Sequence, residues 1–185
     1  MIYLIRHGLD DERYIGGWSD VDLTIVGRKQ VDETLKFIVD KELIINKIIS
    51  SDIKRAASTS LILNDKLNLN IEYTKSLREL DKGIYTGVLK SKLSKSEINK
   101  IKSFSITDKY LKGESMDDLY NRMKVFLKEL KNVDNVLLVT HRGVINMLYY
   151  ILNDIPLDMD KEKFDVSHAS LHEMDIEKKL IRRIY

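Results

Sequence analysis

Two apolar runs in this sequence each end in a histidine that lies beside an arginine and a glycine. Residues 2–5 lead into an Arg-His-Gly triplet at 6–8, and residues 136–140 lead into a His-Arg-Gly triplet at 141–143. Glycine lets the backbone approach a ligand closely, and parallel sheets bind ligands at the carboxyl ends of their strands. The two triplets therefore predict one anion-binding pocket that is assembled from distant segments.

Two further reactive side chains follow other apolar runs. Arg55 lies one helical turn after the run 47–50, and Glu79 lies shortly after the run 70–73. Planar guanidinium groups bind phosphate oxygens, a neutral imidazole nitrogen can attack phosphorus, and a carboxylic acid can protonate a departing oxygen. Together with the two triplets, this set of residue types favours phosphoryl transfer.

The hydrophobic pattern predicts the elements that would position these residues. Runs rich in Ile, Leu and Val predict four buried strands, Ile2–Ile5, Lys47–Ser50, Asn70–Tyr73 and Asn135–Thr140. Apolar residues at helical spacing predict four helices, one capped by Thr24, one over 54–67, one that begins at Ser115 with Asp118 as its capping-box partner, and one over 144–152.

Strands that alternate with helices indicate βαβ units and the α/β fold class. We expect a three-layer α/β/α sandwich with a mostly parallel sheet. The tail 169–185 predicts one or two edge strands, with antiparallel pairing as an open alternative. Because no repeat or Pro/Gly/Ser linker divides the chain, residues 1–185 are expected to form a single domain.

The composition excludes several classes of protein. A chain of 185 residues with 43% hydrophobic and 32% charged residues is neither disordered nor collagenous, and a net charge of +2 argues against nucleic acid as a partner. The absence of cysteine excludes disulfides and thiolate metal sites.

The first apolar stretch is too short for a signal peptide, and charged residues interrupt the run 136–152, so we expect a cytoplasmic protein with no membrane partner. The pattern leaves the oligomeric state open.

The segment 88–112 differs from the rest of the chain because it is rich in lysine and serine and has weak periodicity. One interpretation is a solvated, partly helical insertion. The other is a mobile lid whose lysines attract an anionic substrate.

Ordered blocks of residues resemble the histidine phosphatase superfamily, the phosphoglycerate-mutase-like group. The blocks lie at 4–8, 17–24, 50–56, 77–81, 113–115 and 139–145. They follow the order of the family across nearly the whole chain. The segments 77–81 and 141–143 are more similar to the phosphatase branch that includes α-ribazole phosphatase than to the mutases. The resemblance implies a phosphoglycerate-mutase-like fold.

The resemblance also implies roles for the candidate residues. His7 would be the nucleophile and would become phosphohistidine. Arg6, Arg55 and His141 would bind the phosphoryl oxygens and stabilise the charge of the transferring group. No metal and no cofactor are expected, because guanidinium and imidazole groups supply the positive charge.

The acid and the outer phosphate contacts are less sharply defined by the sequence. Glu79 matches the acid of the family, and Asp81 is the alternative two residues further on. Arg142 stands where the family commonly has glycine. We include Arg142 and Gly17 among the phosphate contacts, with an orientation toward solvent as the alternative for Arg142.

Other residues have competing interpretations. Arg55 has the alternative of an ion pair with Asp52 on its own helix. Arg13 could replace an asparagine with which the family holds phosphate. His168 and His172 are predicted to be surface or turn histidines, because their spacing on a strand is too wide for one metal ion.

These inferences predict a metal-independent phosphomonoesterase that acts through a phosphohistidine on a small phosphorylated metabolite. α-Ribazole 5′-phosphate, sugar phosphates and nucleotides are all candidate substrates. The alternatives are a phosphoglycerate mutase that uses the same phosphohistidine and a module that binds phosphate without turnover.

Overall fold

A computed structural model describes residues 1–130, 133–160 and 162–185. Six strands form one sheet: β1 (Ile2–Arg6), β2 (Lys47–Ser51), β3 (Ile71–Thr74), β4 (Val136–Thr140), β5 (Leu171–Asp175) and β6 (Leu180–Arg183). The helices are α1 (Ile25–Asp40), α2 (Lys54–Leu67), α3 (Lys95–Lys102), α4 (Met116–Glu129) and α5 (Arg142–Leu152).

The strand order in the sheet is β3-β2-β4-β1-β5-β6. The strands β1 to β4 pair in parallel, while β5 pairs antiparallel with both β1 and β6. Arg6 lies opposite Thr140 in the pairing of β1 with β4, so both triplets leave the sheet at the same edge. The mostly parallel sheet is confirmed, and so is the antiparallel alternative for the tail.

Helices cover both faces of the sheet because each central strand buries both of its faces. Ile2 and Leu4 of β1 pack in a core with residues of α4 and α5. Tyr3 and Ile5 pack in a second core with residues of α1 and α2. The predicted α/β/α sandwich is therefore confirmed.

The predicted helix starts agree with the caps in the structure. The hydroxyl of Thr24 accepts a hydrogen bond from the Gly27 N–H, and Ser115 and Asp118 form the expected capping box. Five predicted strand ends are wrong by one residue: β1 and β2 each extend one residue further, both ends of β3 are shifted, and β4 begins one residue later. Asn135 precedes β4 with a φ of 55°, which a strand does not allow, and β3 begins at Ile71.

The lysine-rich segment 88–112 contains α3, which begins in a capping box of Ser94 and Glu97. Leu93 and Ile101 pack against the edge of the core, while the lysines of the segment are exposed. Movement of this segment as a lid stays a prediction. Within the described ranges, no helix combines the length and the apolarity that crossing a bilayer requires.

Candidate active site

A cavity of about 400 Å³ opens at the sheet edge where β1 and β4 end. Six of its lining residues are sequence-predicted site residues: Arg6, His7, Gly17, Arg55, Glu79 and Arg142. His141 is fully buried beside it, and its ring centroid lies 5.0 Å from that of His7. The structure thus gathers all seven predicted residues at one place.

The hydrogen bonds of His7 indicate which of its ring nitrogens can react. The Nδ1 atom lies 2.8 Å from the carbonyl oxygen of Gly8, which can only accept, so Nδ1 carries the proton. The Nε2 atom accepts a hydrogen bond from Nε of Arg55 at 3.1 Å. The lone pair of Nε2 therefore lies at the cavity. The hydrogen bond from Arg55 must break before Nε2 can attack phosphorus.

Burial lowers the pKa of His7 well below its usual value, and the charges of Arg55, His141 and Arg6 lower it further. Burial also lowers the pKa of His141 well below its usual value, and the charges of Arg55, Arg6 and Arg122 lower it further. Both imidazoles are therefore neutral near pH 7. A neutral imidazole is the form that can act as a nucleophile.

His141 is the N-cap residue of α5, and one of its ring nitrogens has no partner among the described residues. Its Nε2 atom lies 2.9 Å from the hydroxyl of Ser51, while its buried Nδ1 makes no hydrogen bond to any residue that the structure describes. The buried Nε of Arg6 likewise makes no hydrogen bond within the described part of the chain. Buried polar atoms nearly always have a partner, so these two atoms are suited to an incoming anion.

Arg55 is held in place by backbone and acidic oxygens around the cavity. Its Nη2 donates to the carbonyl oxygen of Gly17 at 2.8 Å, and its Nε lies 3.4 Å from the carboxylate of Asp10. The predicted alternative, an ion pair between Arg55 and Asp52, is wrong because Asp52 pairs with Arg78. Gly17 thus positions the guanidinium of Arg55.

Arg6 is oriented by the segment that precedes β5. Its Nη1 donates to the carbonyl oxygen of Val166 at 2.8 Å, and its Nη2 lies 2.6 Å from Nε2 of His168. Burial, and then the charge of Arg142, lowers the pKa of Arg6 to about 10, so it remains cationic. Burial, together with Arg6, lowers the pKa of His168 to about 3.

His168 is a site residue that the sequence reasoning missed. It is partly buried, and its ring centroid lies 5.8 Å from that of His7. His172 was also misplaced: it is fully buried and lies between the hydroxyl groups of Tyr149 and Ser170, away from the surface.

The carboxylate of Glu79 lies at the cavity wall against the start of α5. One oxygen accepts the backbone N–H of Leu80 at 2.8 Å, and the other accepts that of Gly143 at 3.2 Å. The indole of Trp18 donates to the backbone carbonyl of Glu79 at 2.7 Å, and this hydrogen bond positions the backbone of Glu79. The alternative acid, Asp81, accepts from the backbone N–H of Gly83 and is absent from the described cavity lining.

The two other arginines that the sequence offered as phosphate contacts, Arg142 and Arg13, differ in position. Arg142 lines the cavity, and its Nη1 donates to the carboxylate of Glu162 at 2.5 Å. Arg13 pairs with Asp11, its side chain is 78% exposed, and it is not among the described residues that line the cavity. The proposed replacement of an asparagine by Arg13 thus has no support from this geometry.

Three side chains carry potential metal ligands at this site. Atoms of His7, Asp10 and His168 lie within 4.8 Å of one another. However, Arg55 already donates to Nε2 of His7, and Arg6 contacts Nε2 of His168. Two guanidinium groups directed at these nitrogens favour an anion over a cation.

Comparisons with known proteins agree with the resemblance in the sequence. The model of the histidine phosphatase superfamily, branch 1, matches residues 2–182. Phosphoglycerate mutase-like protein 4 of Arabidopsis thaliana is 35% identical over 159 residues, which cover 80% of this chain and 69% of that protein. The 6-phosphofructo-2-kinase/fructose-2,6-bisphosphatase of Caenorhabditis elegans is 32% identical over 84% of this chain, but the match spans only 35% of that longer protein.

A solved structure from Escherichia coli K-12, provisionally assigned as an alpha-ribazole-5'-P phosphatase, has the same fold. It superposes with a TM-score of 0.83 at 19% identity, over 98% of this chain and 93% of that one. The match of the family model covers nearly the whole chain. This chain therefore belongs to branch 1 of the histidine phosphatase superfamily.

Proposed function

We propose that the protein is a phosphomonoesterase that transfers the phosphoryl group of its substrate to His7 and then to water. The observation that carries the proposal is the position of Nε2 of His7, an unprotonated nitrogen that faces a cavity flanked by Arg6, Arg55 and the buried His141. Membership of the superfamily and the phosphatase name of the E. coli structure support the reaction class.

In the first step the phosphoryl group moves to the enzyme. As the phosphate enters, the guanidinium of Arg55 exchanges its hydrogen bond with His7 for one with a phosphoryl oxygen. Nε2 of His7 then bonds to phosphorus while the bond from phosphorus to the ester oxygen breaks. Glu79 gives its proton to that oxygen, so the alcohol leaves uncharged.

In the second step water completes the hydrolysis. The carboxylate of Glu79 takes a proton from the water that attacks phosphorus, the bond to Nε2 breaks, and inorganic phosphate leaves. Arg6, Arg55 and His141 stabilise the negative charge in both steps, because they are preorganised and largely removed from water.

The proposal is tested with a panel of phosphomonoesters in the presence of EDTA. We expect hydrolysis that does not require added metal, and a loss of at least ~10³-fold in kcat for His7→Ala. His172→Gln is the matched control, because His172 is equally buried but lies outside the described cavity lining. Full activity in His7→Ala would rule out the nucleophile.

A second arm separates hydrolysis from isomerisation. The protein is given 3-phosphoglycerate with bisphosphoglycerate, and phosphate release is compared with formation of 2-phosphoglycerate. We expect phosphate release to be faster. Isomerisation that outpaces release would identify a mutase, and tight phosphate binding without turnover of any ester would identify a binding module.

A further inference from the structure

The part of the cavity outside the phosphate-binding residues has an apolar wall. It is built by residues of the segment 88–112 on one side and of α4 and α5 on the other: Leu93, Ile98, Ile101, Met116, Met147 and Tyr150. The same cavity contains His7 and Glu79, so this wall lies where the remainder of a bound ester must extend. Its chemistry therefore selects the alcohol that leaves.

Four of these side chains keep exposed surface, whereas Met147 and Tyr150 are fully buried. Ile98 and Ile101 lie on α3, one helical turn apart, and both remain partly exposed in the cavity. Met116 is also partly exposed there, and methionine adapts its shape to irregular apolar partners. The free energy falls when an apolar group covers apolar surface that would otherwise contact water.

The charged residues of the outer cavity do not favour one sign of charge on the substrate. Two acidic and two basic lining side chains are exposed, so water screens all four charges: Glu12, Asp160, Lys90 and Lys102. The half-buried Lys82 also lines the cavity. The identity of the leaving group therefore follows from the apolar wall.

We infer that the leaving group is an apolar alcohol, with an alkyl chain or one aromatic ring. The inference rests on the proposed function, whose site it deepens. A cavity of about 400 Å³ matches a phosphate together with a body of this size, because small-molecule sites of ~300–1,000 Å³ bury most of their ligand.

The test uses two homologous series, in which only the apolar body changes. Ethyl, butyl and hexyl phosphate are compared as substrates, since their alcohols are of nearly equal acidity, and the corresponding alkylphosphonates are compared as inhibitors or ligands. We expect kcat/KM and phosphonate affinity to rise about fourfold per added methylene. Glycerol 1-phosphate and 3-phosphoglycerate should be poorer substrates than hexyl phosphate.

A variant of the wall locates the effect. Ile98→Ala should lower kcat/KM for hexyl phosphate about tenfold and leave that for ethyl phosphate nearly unchanged, because only the longer chain reaches this residue. The control is Asn99→Ala, the next residue of α3, which is exposed and outside the described cavity lining. It should leave both substrates unaffected.

The two series separate this inference from the proposed function. Hydrolysis of every ester at the same rate, with phosphonate affinities that do not depend on chain length, would overturn the inference and leave the phosphatase intact. A preference for the polar esters would do the same. Affinities that rise with chain length without any hydrolysis would overturn the phosphatase and support the apolar site.

Discussion

The reactivity of His7 comes from its surroundings. Burial and three neighbouring cationic or imidazole side chains disfavour the protonated ring, and the Gly8 carbonyl fixes the remaining proton on Nδ1. The same cations that suppress protonation also attract the phosphate. One arrangement thus selects the reactive form of the nucleophile and binds the group that it attacks.

The loss of activity on replacement of Glu79 should depend on the leaving group of the substrate. We expect Glu79→Gln to lower kcat by ~10²–10⁴ for an alkyl phosphate, because the alkoxide then departs without a proton. The loss should be much smaller for formation of the phosphoenzyme from p-nitrophenyl phosphate, whose leaving group needs no acid. The measurement is the pre-steady-state burst of nitrophenol. Asp81→Asn is the comparison, and equal losses in both variants would remove the assignment of Glu79.

The sequence predicted the site residues at the ends of the parallel strands and missed His168, which precedes β5. Arg6, His7 and His141 directly follow or end apolar runs, and their positions could be predicted from the parallel sheet alone. His168 could not, because it depends on the antiparallel pairing of β5 with β1, which the alternation of the tail left open. An antiparallel strand enters at the edge where parallel strands end, so that pairing would have placed His168 at the site.

At the level of the elements, close contact between α5 and the loop after β3 positions the acid. A Cβ atom on Gly143 would lie only 2.1 Å from a carboxylate oxygen of Glu79. Glycine in the first turn of α5 thus leaves room for Glu79 and lets the backbone N–H of this residue donate to it. The triplet at 141–143 supplies both a buried imidazole and the space for the acid.

Gly143→Ala should therefore separate stability from activity. Alanine favours helix by about 1 kcal/mol over glycine, and the end of the Glu79 side chain can move, so the melting temperature should not fall markedly. The displaced carboxylate should lower kcat by about 10²-fold, since misplacement of a catalytic group by 1 Å has effects of that order. Thermal melts and kcat for an alkyl phosphate check both parts. Wild-type kcat would show that Glu79 does not need this contact.

The elements themselves were largely predictable, and their ends were less so. Thr24 and Ser115 gave correct helix starts because caps are local hydrogen bonds. Asn135 was placed in a strand because composition does not show that its φ is positive. The apolar wall on α3 was not predicted either, since it depends on how the segment 88–112 packs over distant helices.

For the molecule as a whole, acid should weaken the fold through its histidines. The pKa values of all four, His7, His141, His168 and His172, lie below that of an unfolded histidine, mainly because of burial. Below about pH 6.5 the unfolded chain binds protons that the folded protein does not, so the free energy of unfolding falls as the pH falls. Burial lowers the pKa of His172 to about 4 and that of His168 to about 3, so the loss continues to those values.

Urea unfolding between pH 7.5 and 4.5 measures this dependence. Each histidine contributes at most about 1.4 kcal/mol per pH unit within that window. His172→Gln should reduce the slope by about one proton while it keeps a neutral group in contact with Tyr149. A free energy of unfolding that is constant across this range would show that the folded protein protonates its histidines normally.

The central claim is that His7 carries the phosphoryl group, and trapping that intermediate tests it most directly. Glu79→Gln is mixed with p-nitrophenyl phosphate, quenched in alkali, in which phosphohistidine survives, and digested with trypsin for mass spectrometry. Formation does not need the acid with this leaving group, but hydrolysis needs the base, so the intermediate should accumulate. We predict one phosphoryl group on the peptide 7–13, located on His7. Stoichiometric release of nitrophenol with that peptide unmodified, or a phosphoryl group on any other residue, would contradict the account.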